Sequence, residues 1–185
     1  YQALEDSTTA NDNIGIGYAA GNSITTGSGH TYIGWAAGTD TTTGTSNVAV
    51  GNESLQKTTT GSSNVALGWQ ALEENTTGSY NVGIGALTLV DNTTAENNTA
   101  VGYAALTANT IGTNNVAVGK MALAGNTEGD HNIGIGKDSL VGNTTGDHNI
   151  GIGLDALDAN TTGVSNTAIG NDALGGNTTG GYNIA

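Results

Sequence analysis

The chain of 185 residues is acidic, because 16 Asp and Glu against 3 Lys and Arg give a formal net charge of -13. This balance argues against nucleic acid and against an anionic membrane surface as partners, since both need basic side chains on the protein. Cysteine is absent, which excludes disulfide bridges and thiol chemistry. No apolar run approaches the length of a membrane-spanning helix, and the first residues do not form a signal peptide.

The main feature of the sequence is a unit that recurs every 17 residues without insertion or deletion. His30 is the one exception in a series of asparagines that mark the start of the unit. The other anchors are Asn13, Asn47, Asn64, Asn81, Asn98, Asn115, Asn132, Asn149, Asn166 and Asn183. Low aromatic content and high charge are typical of disorder, but disorder would not keep one register over ten copies. The strict period therefore predicts a stacked repeat architecture.

The repeat fills the chain as one domain, residues 1–185, of about eleven rungs. Residues 1–12 are a partial copy, residues 13–182 hold ten full copies, and residues 183–185 begin another. Neither end resembles a polar cap, so we expect the chain to be an excerpt of a longer fibre.

The first two full copies differ most from the later ones. They carry Gly21 and Gly38 where every later copy has leucine, and Ile24 replaces the usual Asn or Thr. Tyr32 is also exceptional, because it stands where other copies have alanine or glycine. From Asn47 onward the pattern is regular, and we expect a differently built core in the first two copies.

Each unit begins with an alternation of large and small residues, such as Val116-Ala117-Val118, which is typical of a β-strand. A glycine ends the strand, a short segment finishes in Ala-Leu, and Asn-Thr-Thr-Gly then makes a turn. We predict two strands of about five residues and two turns in each unit. The fold class is therefore all-β, a parallel β-solenoid with rungs about 4.8 Å apart and a length on the order of 50 Å.

Three columns of like residues are expected to hold the stack together. The anchor asparagines are the first. The strand-ending glycines are Gly17, Gly34, Gly51, Gly68, Gly85, Gly102, Gly119, Gly136, Gly153 and Gly170. The leucines are Leu55, Leu72, Leu89, Leu106, Leu123, Leu140, Leu157 and Leu174. We expect the leucine and the two aliphatic strand positions to face inward, the acids to face solvent, and the small central strand residue to form a smooth outer face for another chain.

The units NVAVGKMALAGNTEGDH (115–131) and NTAIGNDALGGNTTGGY (166–182) resemble the repeats of bacteriophage tail fibres. They are similar, more distantly, to the parallel β-roll heads of trimeric autotransporter adhesins, whose unit is shorter. The resemblance implies a left-handed β-roll that forms a homotrimer, on a virion or outside the cell, and contributes to host attachment. The alternative is a bacterial surface adhesin or extracellular filament.

Aromatic residues share one position after the strand glycine: Tyr18, Trp35, Trp69 and Tyr103, with Tyr1 in the same register. An exposed row of this kind would stack against the sugar rings of a host cell-surface glycan. The competing interpretation, which we prefer at this point, packs the rings on the turn or at the seam of the trimer.

No catalytic residue, metal ligand or cofactor site is predicted. His30 lies in the anchor register, and no serine sits in a nucleophile motif. Asp138, Asp155 and Asp172 recur on consecutive rungs, as do Asp130-His131 and Asp147-His148. The nonapeptide pattern of calcium-binding β-rolls is absent, so these columns do not predict calcium.

A threonine column, twelve residues after each anchor, allows a third hypothesis, an ice-binding β-solenoid. The position beside it is irregular (Ile111, Glu128), which weakens this hypothesis. Several Asn-x-Thr triplets match glycosylation acceptors, and we interpret them as a by-product of the turn. They begin at Asn75, Asn92, Asn143, Asn160 and Asn177.

Overall fold

A computed structural model describes residues 2–185 as a parallel β-solenoid, which confirms the predicted fold class. Each turn of the chain contributes one strand of three residues to a single ten-stranded sheet, in which strand order equals chain order. The strands are β1 (Ile14–Ile16), β2 (Thr31–Ile33), β3 (Val48–Val50), β4 (Val65–Leu67), β5 (Val82–Ile84), β6 (Thr99–Val101), β7 (Val116–Val118), β8 (Ile133–Ile135), β9 (Ile150–Ile152) and β10 (Thr167–Ile169).

The 17-residue period is the register of the sheet. Each strand residue pairs with the residue one unit away, as Ala100 of β6 does with Ala117 of β7. Backbone hydrogen bonds of 2.8 Å continue the pairing on both sides of the strand, from Val116 N–H to the Asn132 carbonyl and from Gly119 N–H to the Val101 carbonyl. Nine steps of about 4.8 Å give the sheet a length of about 43 Å.

The leucines lie over one another inside the coil, as predicted. Leu106 N–H donates to the Ala122 carbonyl and Leu123 N–H to the Ser139 carbonyl, so this segment is also tied from rung to rung. Leu174, near the end of the chain, is partly buried. The fully buried members of the column are Leu55, Leu72, Leu89, Leu106, Leu123, Leu140 and Leu157.

The second predicted strand does not form. In each unit the backbone turns into the left-handed region two residues after the strand glycine and again at the leucine, as at Glu53 (φ 57°) and Leu55 (φ 50°). This conformation costs a non-glycine residue about 1–2 kcal/mol. Burial of the leucine side chain gains about 1.5–3 kcal/mol, which offsets that cost. Gly21 and Gly38 adopt the same conformation at the leucine position.

The predicted facing of the strand is wrong. The small central residue faces inward, with Ala100 and Ala117 fully buried, while the aliphatic residues on either side face outward. The reason is the width of the coil, because each leucine already fills the space behind the next strand. A Cβ placed on Gly134 would lie 3.2 Å from Cγ of Leu123. Only alanine or glycine fits opposite the leucine.

In the first two copies the interior is also filled by one large side chain, but the large residue is on the strand and the leucine position holds glycine. Tyr32 is fully buried at the central position of β2, and its ring occupies the space that leucine fills elsewhere. A Cβ on Gly38 would collide with the Tyr32 ring, and one on Gly21 would lie 3.0 Å from it. Ile24 is buried beside them. The tyrosine and the two glycines therefore compensate for one another.

Prediction from the core. We expect Tyr32→Ala to destabilise the N-terminal rungs by about 3–5 kcal/mol, because it leaves a cavity. Gly38→Leu alone is also destabilising, since the leucine would overlap the Tyr32 ring. The double variant Tyr32→Ala/Gly38→Leu supplies a leucine where the Tyr32 ring lay, with Gly21 unchanged, and should recover part of the loss. Urea unfolding followed by circular dichroism measures all three, and a double variant as unstable as the sum of the singles would contradict the compensation.

Candidate functional surface: polar ladders and the exposed aromatic column

The anchor asparagines form a buried hydrogen-bonded ladder. Asn115 shows the pattern: its Nδ2 donates to the Gly129 carbonyl at 2.8 Å, and its Oδ1 accepts from the backbone N–H of Asn132 at 2.8 Å. Each amide thus closes its own turn and holds the next rung. The fully buried members are Asn47, Asn64, Asn81, Asn98, Asn115, Asn132, Asn149 and Asn166.

A second amide ladder occupies the turn. Asn109 Nδ2 donates to Asn92 Oδ1 at 3.1 Å and to the Gly112 carbonyl at 2.9 Å, and its Oδ1 accepts from Asn126. The same column includes the asparagines of the Asn-x-Thr triplets. Asn75, Asn92, Asn143 and Asn160 are fully buried, and Asn177 is partly buried. Their side-chain nitrogens are occupied inside the fold, which explains the triplets as turn chemistry.

The strand-ending glycines allow close approach of successive rungs. Gly119 has φ 136°, and a Cβ there would lie 2.5 Å from the carbonyl oxygen of Gly136 on the next rung. Both the conformation and the space therefore require glycine. The sequence prediction of a structural role for this column agrees with this geometry.

His30 replaces the anchor asparagine atom for atom. Its Nε2 lies 2.9 Å from the Gly44 carbonyl, and its Nδ1 accepts from the backbone N–H of Asn47 at 3.1 Å. Nε2 therefore carries the proton and the ring is neutral. The hydroxyl of Tyr32 lies 3.0 Å from both His30 Nδ1 and Thr41 Oγ1, and burial raises the pKa of that tyrosine to about 12.

The acids of the turn replace serines in a backbone role. Asp147 Oδ1 accepts from the backbone N–H of Asp130 at 2.8 Å, as Ser62 Oγ accepts from Thr45 N–H at 3.0 Å in an earlier rung. The adjacent rings of His131 and His148 are parallel, with centroids 4.9 Å apart. Within residues 2–185 no group of three or more His, Cys, Asp or Glu is placed to hold a metal ion.

The other acid column faces solvent only in part, because Asp138 and Asp155 are half-buried, Asp172 is exposed, and Oδ1 of Asp138 is buried without a hydrogen-bond partner in residues 2–185. Asp138 pairs with Lys137 at 2.7 Å. None of the Asp and Glu side chains in the described chain is fully buried. Asp138, Asp155 and Asp172 share one position of the repeat, but they do not form a group that could hold a metal ion.

The hydroxyls of the threonine column are used in hydrogen bonds between rungs. Its hydroxyls donate to the carbonyl of the equivalent threonine on the next rung, as Thr127 Oγ1 does to Thr144 at 3.1 Å. The exposed threonines are those one residue later, such as Thr60 and Thr145, and this column is interrupted at Ile111 and Glu128. The array of free hydroxyls is therefore narrow, which does not favour an ice-binding surface.

The aromatic residues at the position after the strand glycine are half exposed. The exposed fractions are 51% for Tyr18, 48% for Trp35, 48% for Trp69 and 52% for Tyr103. The rings of Tyr18 and Trp35 are nearly parallel, with an interplanar angle of 12° and centroids 6.4 Å apart. Within this chain they are not buried against the turn, and their packing at the seam of a trimer, the other part of the preferred interpretation, stays a prediction. Tyr1, the fifth member, lies outside the described residues.

Sequence reasoning missed the largest exposed feature, the outer face of the sheet. The residues at the two ends of each strand form two columns, which are aliphatic except at Thr31, Thr99 and Thr167. Ile16, Ile84 and Ile135 are 58%, 38% and 38% exposed. The signal that pointed to it was Tyr32, whose size at the central position is tolerated only where leucine is replaced by glycine.

Comparisons with known proteins found no match. The chain matches no protein-family model, no curated protein and no solved structure. Residues 2–185 include no helix that is long and apolar enough to cross a membrane.

Prediction from His30. Burial lowers the pKa of His30 below its ordinary value of 6.5, so the unfolded chain binds the proton more readily. The stability due to the neutral ring is present above about pH 6.5 and is lost as the pH falls below it, by up to about 1.4 kcal/mol per pH unit. His30→Asn restores the common anchor and should remove this dependence. Urea unfolding at pH 7.5 and 5.5 gives the change in the free energy of unfolding between the two pH values. An equal change for the wild type and His30→Asn would contradict the prediction.

Prediction from the turn amides. Asn109→Asp puts a buried carboxylate oxygen against Asn92 Oδ1 and the Gly112 carbonyl, where the amide nitrogen donated. We expect a loss of about 3 kcal/mol or more at pH 7, because the charge has no donor there. Asn52→Asp, at an exposed position, is the matched control and should change stability by less than about 0.5 kcal/mol. Thermal unfolding compares them, and similar losses for both would refute the role of the ladder.

Proposed function

We propose that this chain is the repeat shaft of a homotrimeric phage tail fibre that contributes to host attachment. The alternative is a bacterial surface adhesin or extracellular filament built from the same rungs. Both place the chain on a virion or at a cell surface. The resemblance of the units to tail-fibre repeats supports the first, and the physical properties of the solenoid support a spacer role in either.

Stiffness supports the spacer role. Three sets of side-chain hydrogen bonds run along the axis, from the anchor amides, the turn amides and the threonine hydroxyls, in addition to the backbone pairing of the sheet. Each rung contacts only its neighbours, so the stack extends without changing its cross-section. The interior is filled by leucine and alanine, and residues 2–185 enclose no cavity.

The outward aliphatic columns support association, and this is the observation that carries the trimer. Parallel sheets are normally covered on both faces. Here one face is covered by the leucines, and the other presents Val, Ile or Leu at the last strand position of every rung, including Val118 (37% exposed) and Ile135 (38%). A continuous apolar strip of this kind marks an interaction surface. Three copies that turn this face toward a common axis would cover it. The small residues expected to form the contact lie inside the coil instead.

Prediction for assembly. Val118→Glu/Ile135→Glu places two carboxylates on the sheet face, where they would repel one another across the three-fold axis and lose apolar burial. We expect the native mass, measured by light scattering, to fall from three chains to one. Ile111→Glu is the matched control, because Ile111 is 53% exposed on the turn and the next rung has Glu128 at that position. It should remain trimeric.

A wild-type chain that is monomeric at micromolar concentration would refute the trimer. Circular dichroism of the double variant checks that the rungs remain folded, so that dissociation is distinguished from unfolding. An antibody against this segment then separates the two origins in electron micrographs. Labelled fibres on virions support the tail fibre, and label confined to bacterial surfaces supports the adhesin.

A further inference from the structure

We propose that the column Tyr18, Trp35, Trp69 and Tyr103 binds a neutral, extended β-1,4-linked polysaccharide that lies along the fibre axis. This names the ligand class for the attachment role proposed above and rests on that role for its biological meaning. The binding itself requires only the rod and its aromatic column.

The four aromatic residues form one column because the rungs are in register. All four residues directly follow the glycine that ends a strand, and the sheet pairs each unit with the next at 17 residues. Equivalent backbone positions therefore stand one above another, the rings of the adjacent pair Tyr18 and Trp35 are 6.4 Å apart, and each ring is about half exposed. Aromatic rings offer flat apolar faces on which the C–H faces of pyranose rings pack.

The spacing of the larger part of the column selects the ligand. Trp35, Trp69 and Tyr103 are two rungs apart, which is about 9.6 Å at the spacing of parallel strands. The positions between them hold Asn52 and Ala86. An extended β-1,4-linked chain repeats every two sugars at close to this distance, because alternate sugars are turned over. Such a chain would present the same sugar face to each aromatic ring in turn.

Polar groups flank the rings where sugar hydroxyls would lie. Asn52 is exposed between the two tryptophans. One residue later, Gln70 Nε2 donates to Glu53 Oε2 at 3.0 Å, which leaves a second N–H donor and the acceptor oxygen on Gln70 and further acceptor sites on Glu53. Hydrogen bonds of this kind orient a sugar that is already stacked on a ring.

Charge excludes the anionic polysaccharides. The chain carries a net charge of -13, and Glu53 stands next to the column. Burial raises the pKa of Glu73, and the neighbouring carboxylates of Glu53 and Glu74 raise it further. The column changes to Lys120 and Lys137 after Tyr103, so the aromatic part is confined to the N-terminal rungs. A neutral polymer avoids the repulsion that a uronic acid chain would meet.

The test uses the two tryptophans as reporters, because the chain has no others. Wild-type protein is titrated with hexasaccharides of β-1,4-linked glucose and β-1,4-linked N-acetylglucosamine, with α-1,4-linked glucose hexasaccharide as the linkage control. We expect a change in tryptophan fluorescence with at least one β-linked probe. The α-linked probe should bind at least tenfold more weakly, since its helical shape does not follow a straight column.

Three variants separate stacking from folding, with affinity measured by calorimetry. Trp69→Ala should weaken binding about tenfold. Leu154→Ala is the matched control, because Leu154 is 42% exposed at the same position of a later unit. It should bind as the wild type does. Asn52→Trp/Trp69→Asn keeps the composition but moves one ring by one rung, and it should lose affinity as Trp69→Ala does.

Three outcomes overturn the inference. Equal affinity for α- and β-linked probes, unchanged binding by the shifted variant, or no binding by the wild type would reject it. A fall in oligomeric mass of Trp69→Ala with no glycan affinity in the wild type would assign the column to the seam between copies. Trimeric mass without glycan binding leaves the shaft intact and rejects only this inference. Glycan binding by a monomeric rod would support this inference and reject the proposed trimer.

Discussion

The interior of the coil is one side chain wide, and most other features of the molecule follow from that limit. A leucine such as Leu123 spans the space behind the next strand, so that the facing strand residue must be alanine or glycine. The β-branched residues on either side are then forced outward. The fold therefore gains its core from a small part of each unit and leaves its most apolar strand positions exposed. This explains why a chain with so acidic a surface still carries a continuous hydrophobic strip.

The sequence predicts the stack but not the facing of its strand. Periodicity fixes the register, since Asn115, Gly119 and Leu123 can recur at one interval only if equivalent residues meet across rungs. Alternation of large and small residues, by contrast, defines two faces without saying which is inside. The usual assumption that large residues face inward fails here because the leucine side chains already fill the interior. The leucine segment itself is not a strand, since its backbone is left-handed at the leucine. The left-handed conformation of Leu55 is indicated in the sequence only by Gly21 and Gly38, which occupy the same position of the first two copies.

The aromatic column was predictable as a position, and its exposure was not. Trp35 and Trp69 share an offset that can be read directly from the repeat. Whether that offset faces solvent depends on the path of the backbone after the strand glycine, where the chain leaves the sheet. The role of His30 is a similar case. Its place in the asparagine column was evident, yet its equivalence to an amide became clear only when both ring nitrogens were found in the positions of the amide atoms.

Identical rungs also make length a separate variable from cross-section. Gain or loss of one complete unit by recombination between copies leaves every remaining hydrogen-bond register unchanged, because each rung recognises only the one before and the one after. Such an event alters the interval between any two surface residues on opposite sides of it by one whole step. A gene of this kind can thus vary the distance between exposed side chains in increments of a single strand spacing, without inventing a new loop or repacking a core.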